Sequence, residues 1–272
     1  MNEAALSPSA EPRGDGAPGD DARRIEEASL RAWPALTESD FDGWRLRFAD
    51  GYTRRANSIT PLGPSRLDLV DKVATCERLY AERGLPAIFR VTPFAPPALE
   101  AILAARGYTR GDEVEVRARD LQATAVPATP ARPLAATSVR LWDLALERWL
   151  DVFSTLSGSS DANRDPHRRV LVAVPGRRRL LALAVDDRPV ACGMSVLCDG
   201  LLGLFDLVTA REARGQGFGS EILRRALRWG ARAGAEAAYL QVLEGNRVAG
   251  RLYQRAGFEV VYRYHYREPR AR

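Results

Sequence analysis

The stretch that decides the fold is LLGLFDLVTAREARGQGFGSEILRRALRWGARAG, residues 201–234. Its first nine residues are apolar enough for a buried strand, and the run from Ser220 places Ile222, Leu223, Ala226, Leu227 and Gly230 on one face of a helix. Between them lies ARGQGFG, residues 213–219. A strand that runs through a glycine-rich turn into a helix gathers backbone N–H groups at the positive end of the helix dipole, which makes a seat for phosphate. Gly215, Gly217 and Gly219 let the main chain approach a pyrophosphate where side chains would collide, and Ser220 adds a hydroxyl at the helix start. A Walker loop would end in Gly-Lys-Ser/Thr, and the dinucleotide fingerprint would have a third glycine where Ser220 stands, so neither nucleotide motif fits.

Upstream, RRLLALAV, PVACGMSVLC and LLGLFDLVT are separated by the turns DDR and DG and read as an antiparallel meander of three strands. LWDLALERWLDVFSTL, residues 141–156, has apolar residues at helical spacing and predicts an amphipathic helix before them. Downstream come a buried strand AAYLQV, a helix NRVAGRLYQRAG ending at Gly257, and an alternating strand FEVVYRYHYR. The expected order is helix, three strands, helix, strand, helix, strand: an α/β (α+β) fold with a mixed, mostly antiparallel sheet flanked by helices.

At this point the chain resembles the GCN5-related N-acetyltransferase superfamily. That family's pattern of Arg or Gln, two residues, Gly, one residue, Gly or Ala is met by Arg214, Gly217 and Gly219. Its second signature, an asparagine followed seven residues later by tyrosine and then by a Gly-Phe pair, is met by Asn246, Tyr253, Gly257 and Phe258. The departures are Thr209 and Arg211, where the family usually has valine and proline. The resemblance implies acetyl-CoA as co-substrate, with the pyrophosphate on Arg214, Gly215, Gln216, Gly217, Phe218, Gly219 and Ser220, and the pantetheine arm along the open strand edge at Leu207, Val208 and Thr209. Asn246 would bond the arm from the other side of the cleft, and it also reads as a plain helix N-cap. Tyr253 is implied as the general acid facing the sulfur; a core aromatic on an amphipathic helix is the other reading. Asp206 is the one carboxylate on its strand, lying where some relatives carry an acid that faces the substrate amine, while the neighbouring position, often the glutamate base, is Phe205; it faces substrate, or it is solvated or bonds a turn. No metal is implied. The two histidines, His167 and His265, are too few for a compelling hydrolytic triad.

Outside this region, residues 1–22 are rich in Pro, Gly, Ala, Ser and Asp and read as a disordered tail. Residues 121–137, with three prolines, read as a linker. Two folded units are therefore expected, 23–120 and 138–268. The first repeats the helix, glycine, strand pattern of the second, with Gly84 and Gly107 lying 150 positions before Gly234 and Gly257. At that offset Arg214, Gly217 and Gly219 fall on Pro64, Leu67 and Leu69, and Asn246 and Tyr253 on Pro96 and Leu103. The first unit is thus expected to be a degenerate relative that caps the catalytic unit or shapes its acceptor pocket.

Composition bounds the rest. Of 272 residues 46% are hydrophobic and 28% charged, as in a soluble globular protein, and the net charge of +5 reads as an arginine-rich solvated surface. Three scattered cysteines fit a reducing, cytoplasmic compartment, and no apolar run reaches the roughly 18 residues of a membrane span. No basic recognition helix points to nucleic acid. The sequence therefore predicts an N-acetyltransferase acting in a ternary complex on a primary amine of a small molecule or peptide, and leaves room for a homodimer. The alternative is a non-catalytic acyl-CoA-binding regulatory module.

Overall fold

The computed structural model describes residues 19–270 except 124, 128, 130–133 and 135–137, so most of the expected tail and half of the expected linker lie outside the described residues. The first helix, α1 (Asp20–Ala32), begins within the stretch read as tail. Ile25, Ala28 and Ala32 recur at helical spacing and are buried, which is what orders it.

The N-terminal half continues with β1 (Thr37–Phe41), β2 (Trp44–Phe48), β3 (Ile59–Pro61), α2 (Leu69–Ala81), β4 (Phe89–Val91), α3 (Ala98–Ala105), β5 (Thr109–Arg110) and β6 (Val114–Asp120). Asp68 caps α2 by accepting from the amides of Val70 (2.8 Å) and Asp71 (3.2 Å). Trp44, Leu46, Ile59 and Phe89 of the strands bury against Val73, Cys76, Tyr80, Leu99 and Leu103 of the two helices to make a core of their own.

The C-terminal half comprises β7 (Val139–Asp143), α4 (Leu146–Ser157), α5 (Arg164–Val172), β8 (Arg177–Val185), β9 (Arg188–Cys198), β10 (Leu201–Thr209), α6 (Phe218–Arg232), β11 (Ala237–Leu243), α7 (Arg247–Arg255) and β12 (Glu259–Glu268). Two hairpins join β8 to β10. Their turn residues Asp186 (φ +49°), Asp187 (φ +60°), Asp199 (φ +50°) and Gly200 (φ +74°) all lie in the left-handed region that matches the twist of such turns. Alternation then divides the sheet into two faces. Leu180, Ala182, Cys192 and Met194 pack under α4 and α5 with Trp149, Leu150 and Val170, whereas Leu181, Leu183 and Ala191 pack on Ile222 of α6.

The helix predicted over 141–156 is divided. Its first residues form β7, an edge strand that pairs antiparallel with β8 from Val139↔Val185 to Asp143↔Leu181. Leu141 faces the α6 side and Trp142 the α4 side, so the apolar spacing that suits a helix also serves a strand once a partner is available.

The sheet runs β1-β2-β3-β4-β12-β6-β11-β10-β9-β8-β7. Its centre is a reciprocal exchange. In the C-terminal half β10 and β11 are parallel, and β11 is then paired antiparallel by β6 from the other half (Leu240↔Arg117). In the N-terminal half β3 and β4 are parallel, and β4 is paired antiparallel by β12 (Tyr266↔Arg90). The strands β4 and β11 thus hold equivalent places, as do β6 and β12, with Phe89 paired to Arg267 and Tyr239 to Ala118. The two units delimited from sequence, 23–120 and 138–268, consequently share one sheet. Across this junction the buried Arg90 of β4 is paired with the buried Glu26 of α1, and Tyr262 of β12 donates to the same carboxylate. Removing either charge would strand the other in the interior, at a cost of about 3–5 kcal/mol.

No helix among the described residues is long and apolar enough to cross a membrane.

Candidate active site

The site is built where β10 and β11 part. Their parallel register runs from Leu201↔Ala237 to Leu204↔Leu240 and stops. On its other side β10 stays with β9, but the register shifts between Phe205↔Met194 and Val208↔Cys192, so that Asp206 and Leu207 oppose Gly193 alone. This is a β-bulge. Asp206 stands in it at φ +51°, a left-handed conformation that a short carboxylate side chain tolerates better than most. Gly193 is required opposite: a Cβ there would lie 2.8 Å from Ile222 Cγ2 and 3.3 Å from Leu207 Cδ1. The bulge turns β10 away from β11, and a cavity of about 280 Å³ opens between them.

Of the residues expected from sequence, Asp206, Leu207, Asn246 and Tyr253 line this cavity together. Asn246 caps α7, its Oδ1 accepting from the Ala249 amide at 3.2 Å, so its N-cap role is realised at the cavity wall. Tyr253 is half-buried on α7 with its ring edge-on to Phe258, and burial pushes its phenol up to about 12. Val208 and Thr209 continue the strand beyond the bulge, paired with Cys192 and Ala191.

The glycine turn adjoins the end of β10. Gly215 (φ +77°) and Gly217 (φ +90°) take backbone conformations that side chains disfavour. At Gly219 a Cβ would sit 3.2 Å from Thr209 Oγ1 and 3.8 Å from Leu252 Cδ2, which places the turn between the last residue of β10 and α7. Gly217 is the N-cap of α6 and contributes no side chain, so the first-turn amides of Phe218, Gly219 and Ser220 have no carbonyl of the helix to bond. Phe218 is buried among Leu181, Leu183 and Ile222 and anchors the turn by its ring, leaving only its backbone to face outward. Arg214 and Ser220 are exposed; Gln216 is tied back by Nε2 donating to the Glu212 carbonyl at 3.0 Å.

Sequence reading missed two residues. His167 of α5 is buried, its Nε2 3.0 Å from Asp206 Oδ2 and its ring surrounded by Trp33, Tyr52, Trp149 and Phe153 at centroid distances of 4.9–6.0 Å. A lone histidine carries no spacing signal, and only the helical pattern of Val170 and Leu171 beside it marks that helix as packed. Arg55, from the turn between β2 and β3, lines the cavity from the N-terminal half. His265 is elsewhere, bonded to Glu100 Oε2 at 3.1 Å. Among the described residues no cluster of three or more His, Cys, Asp or Glu could hold a metal.

A strand that parts from its parallel neighbour at a bulge, followed by a glycine turn and helix, is the arrangement the two sequence signatures imply, and comparison with known proteins decides the family. A family model described as "Probable histone acetyltransferase Rv0428c C-terminal" matches residues 20–267. The chain belongs to this acetyltransferase family, within the GCN5-related N-acetyltransferase superfamily. The "Uncharacterized N-acetyltransferase YobR" of Bacillus subtilis (strain 168) is 29% identical over 256 residues, spanning 91% of this chain and 98% of that protein. Among solved structures, a "GCN5-related N-acetyltransferase from Kribbella flavida" superposes with a TM-score of 0.68 at 19% identity over 92% of this chain and 96% of its own. A "Tandem GNAT protein from the clavulanic acid biosynthesis pathway" does so at 0.63 and 17% identity, over 95% and 90%. The acetyltransferase fold therefore extends over both halves of the molecule, and the protein is an acyltransferase of the N-acetyltransferase type. This sets aside the non-catalytic module.

Proposed function

We propose that the protein transfers acetyl from acetyl-CoA to a primary amine of a small molecule or peptide, by direct attack in a ternary complex. The observation that carries the reading is the end of β10–β11 pairing at Leu204↔Leu240, which opens a cavity holding Asp206 on one wall and Tyr253 on another.

The residues present fit the donor. Among the described residues no strand pairs with β10 beyond Leu204 on the β11 side, so the Leu207–Thr209 edge can pair with the amides of a pantetheine arm, the Thr209 carbonyl being met there only by Arg214 Nε at 3.4 Å. A Cβ at Gly215 would meet nothing within 4 Å, and the unbonded amides at the start of α6 with the exposed Arg214 suit a pyrophosphate. Acetyl-CoA supplies an activated thioester there.

An alkyl ammonium must first give up a proton, at about 4–5 kcal/mol near neutral pH. Asp206, held by His167, receives the ammonium and guides that proton toward solvent. As the N–C bond forms and the C–S bond breaks, Tyr253 donates its proton to the departing sulfur and takes back the second proton of the attacking nitrogen. Full release of a proton from a phenol at about 12 to a thiolate of ordinary pKa near 8.5 is roughly 5 kcal/mol uphill. Tyr253 therefore acts only while the nitrogen's proton returns to it, which couples the two transfers. Release of free thiol, followed across amines and peptides, tests the reading: acceptor-dependent release is expected, and donor binding without such release for any acceptor contradicts it.

A further inference from the structure

The turn between β2 and β3 belongs to the N-terminal half, yet it delivers a side chain into the cavity of the C-terminal half. Its shape is built from inside. Asn57 Oδ1 accepts from the amides of Ala49 (2.7 Å) and Gly51 (3.0 Å), and its Nδ2 donates to the carbonyls of Tyr52 (2.7 Å) and Thr53 (2.9 Å). The buried Arg47 donates to the Arg55 carbonyl at 2.6 Å, and Trp33 Nε1 donates to Thr53 Oγ1 at 3.2 Å. Thr53 is held at φ +56°, which a β-branched residue adopts only where its surroundings over-determine it. Arg55 is thus placed by a rigid turn.

Its guanidinium lies 5.3 Å from the Trp33 ring and 5.6 Å from the Phe205 ring. Among the described residues its Nε is buried with no acceptor. Gln241, on the β11 wall of the same cavity, accepts from the Tyr264 hydroxyl at 2.8 Å and leaves its own Nε2 buried and unpartnered. Arg55 is half-buried with its Nε fully enclosed, and an enclosed guanidinium N–H and an enclosed amide donor without partners are costly; both want an acceptor, the cation an anionic one. Asp206, the one carboxylate lining the cavity, is already bonded to His167.

We infer that the acceptor is an amine that carries a carboxylate, as an amino acid does. Arg55 and Gln241 hold the carboxylate, the planar guanidinium matching its two oxygens, while Asp206 receives the ammonium end. The cavity is therefore dipolar, and its positive pole comes from the half of the chain that lacks the glycine turn. This assignment rests on the acetyl-transfer reading and narrows its acceptor class.

The test compares kcat/KM for amino acids with kcat/KM for the same molecules as carboxamides, using the full-length wild type, Arg55→Gln and Arg55→Lys. The wild type is expected to prefer the free acid by about 10²-fold, as a site with unpaired charged donors does. Arg55→Gln should collapse that ratio toward one through the acceptor's KM, with KM for acetyl-CoA unmoved, and Arg55→Lys should retain part of it. A wild type indifferent to the carboxylate overturns the assignment without need of a variant. So does an Arg55→Gln enzyme that loses both activities alike or is changed only in KM for acetyl-CoA. Acetylation of neutral amines alone defeats the carboxylate site and leaves the acetyl-transfer reading standing, whereas acetylation of nothing removes both.

Discussion

His167 Nε2 lies 3.0 Å from Asp206 Oδ2, and the two residues come from a helix and a bulged strand that share no local sequence signal. The histidine is enclosed by Trp33, Tyr52, Trp149 and Phe153, so it fixes the carboxylate from behind while leaving one side of it to the cavity. Asp206→Asn keeps the size and the tolerance for φ +51° but loses the charge. It should lower kcat by about 10²-fold at neutral pH, with the loss easing as pH rises toward the pKa of the free amine. Initial rates from pH 7 to 10 check this, and an unchanged kcat removes Asp206 from the chemistry.

Tyr253→Phe should leave thermal stability and donor affinity nearly as they are while reducing kcat about 10²- to 10³-fold. Because burial holds the phenol at about 12, the wild-type rate should show no downward break from its ionisation below about pH 11. A break near pH 9 to 10 that disappears in the variant would contradict the placement of Tyr253.

Gly217→Ala would put a side chain at φ +90° and within 3.4 Å of Leu134 Cδ2. The strain is about 1–2 kcal/mol, and relieving it means moving the amides of the turn. KM for acetyl-CoA should rise about tenfold or more, with acceptor KM little affected. Steady-state kinetics in both substrates separate the two, and a change confined to the acceptor would show that the turn does not hold the donor.

Acid stability should depend on the ties between α3 and the exchanged strand β12. Burial alone would raise the Glu100 carboxyl, but hydrogen bonds from Arg267 (2.6 Å) and His265 (3.1 Å) outweigh it and hold the group at about 2. Its contribution is complete above the ordinary 4.5 and is lost as pH falls from there toward 2. Burial lowers His265 below its ordinary 6.5, so the unfolded chain takes up that proton first and stability declines as pH falls below this value. Both groups steepen the acid limb. Glu100→Gln should flatten the fall of thermal midpoint between about pH 5 and 3; curves that run parallel would rule out the linkage.

What was legible in the sequence were features written in consecutive residues. Gly215 and Gly217 announce a turn because glycine suits their left-handed backbone, Gly219 leaves room beside Thr209, the buried face of α6 follows from a period of 3.6, and β10 from its apolar run. Leu141 and Trp142 were read as helix and are strand, since their spacing suits a helix until β8 supplies hydrogen bonds from outside the segment. The exchange of β6 and β12 was likewise hidden: Val116 and Tyr264 alternate as any strand residues do, and nothing local says which sheet receives them. His167 and Arg55 were missed for a related reason. A buried polar group acquires its role from partners distant in sequence, Asp206 for one and Trp33 with Phe205 for the other.

The central claim is that the parted strands and the glycine turn form one donor site. It is tested most directly by calorimetric titration of the purified chain with acetyl-CoA, beside a thermal midpoint measured with and without millimolar coenzyme A. The account predicts one acetyl-CoA bound per chain and a midpoint raised by several degrees, as saturating occupancy requires, with both diminished by Gly217→Ala. No heat of binding and an unmoved midpoint at millimolar coenzyme A would contradict it.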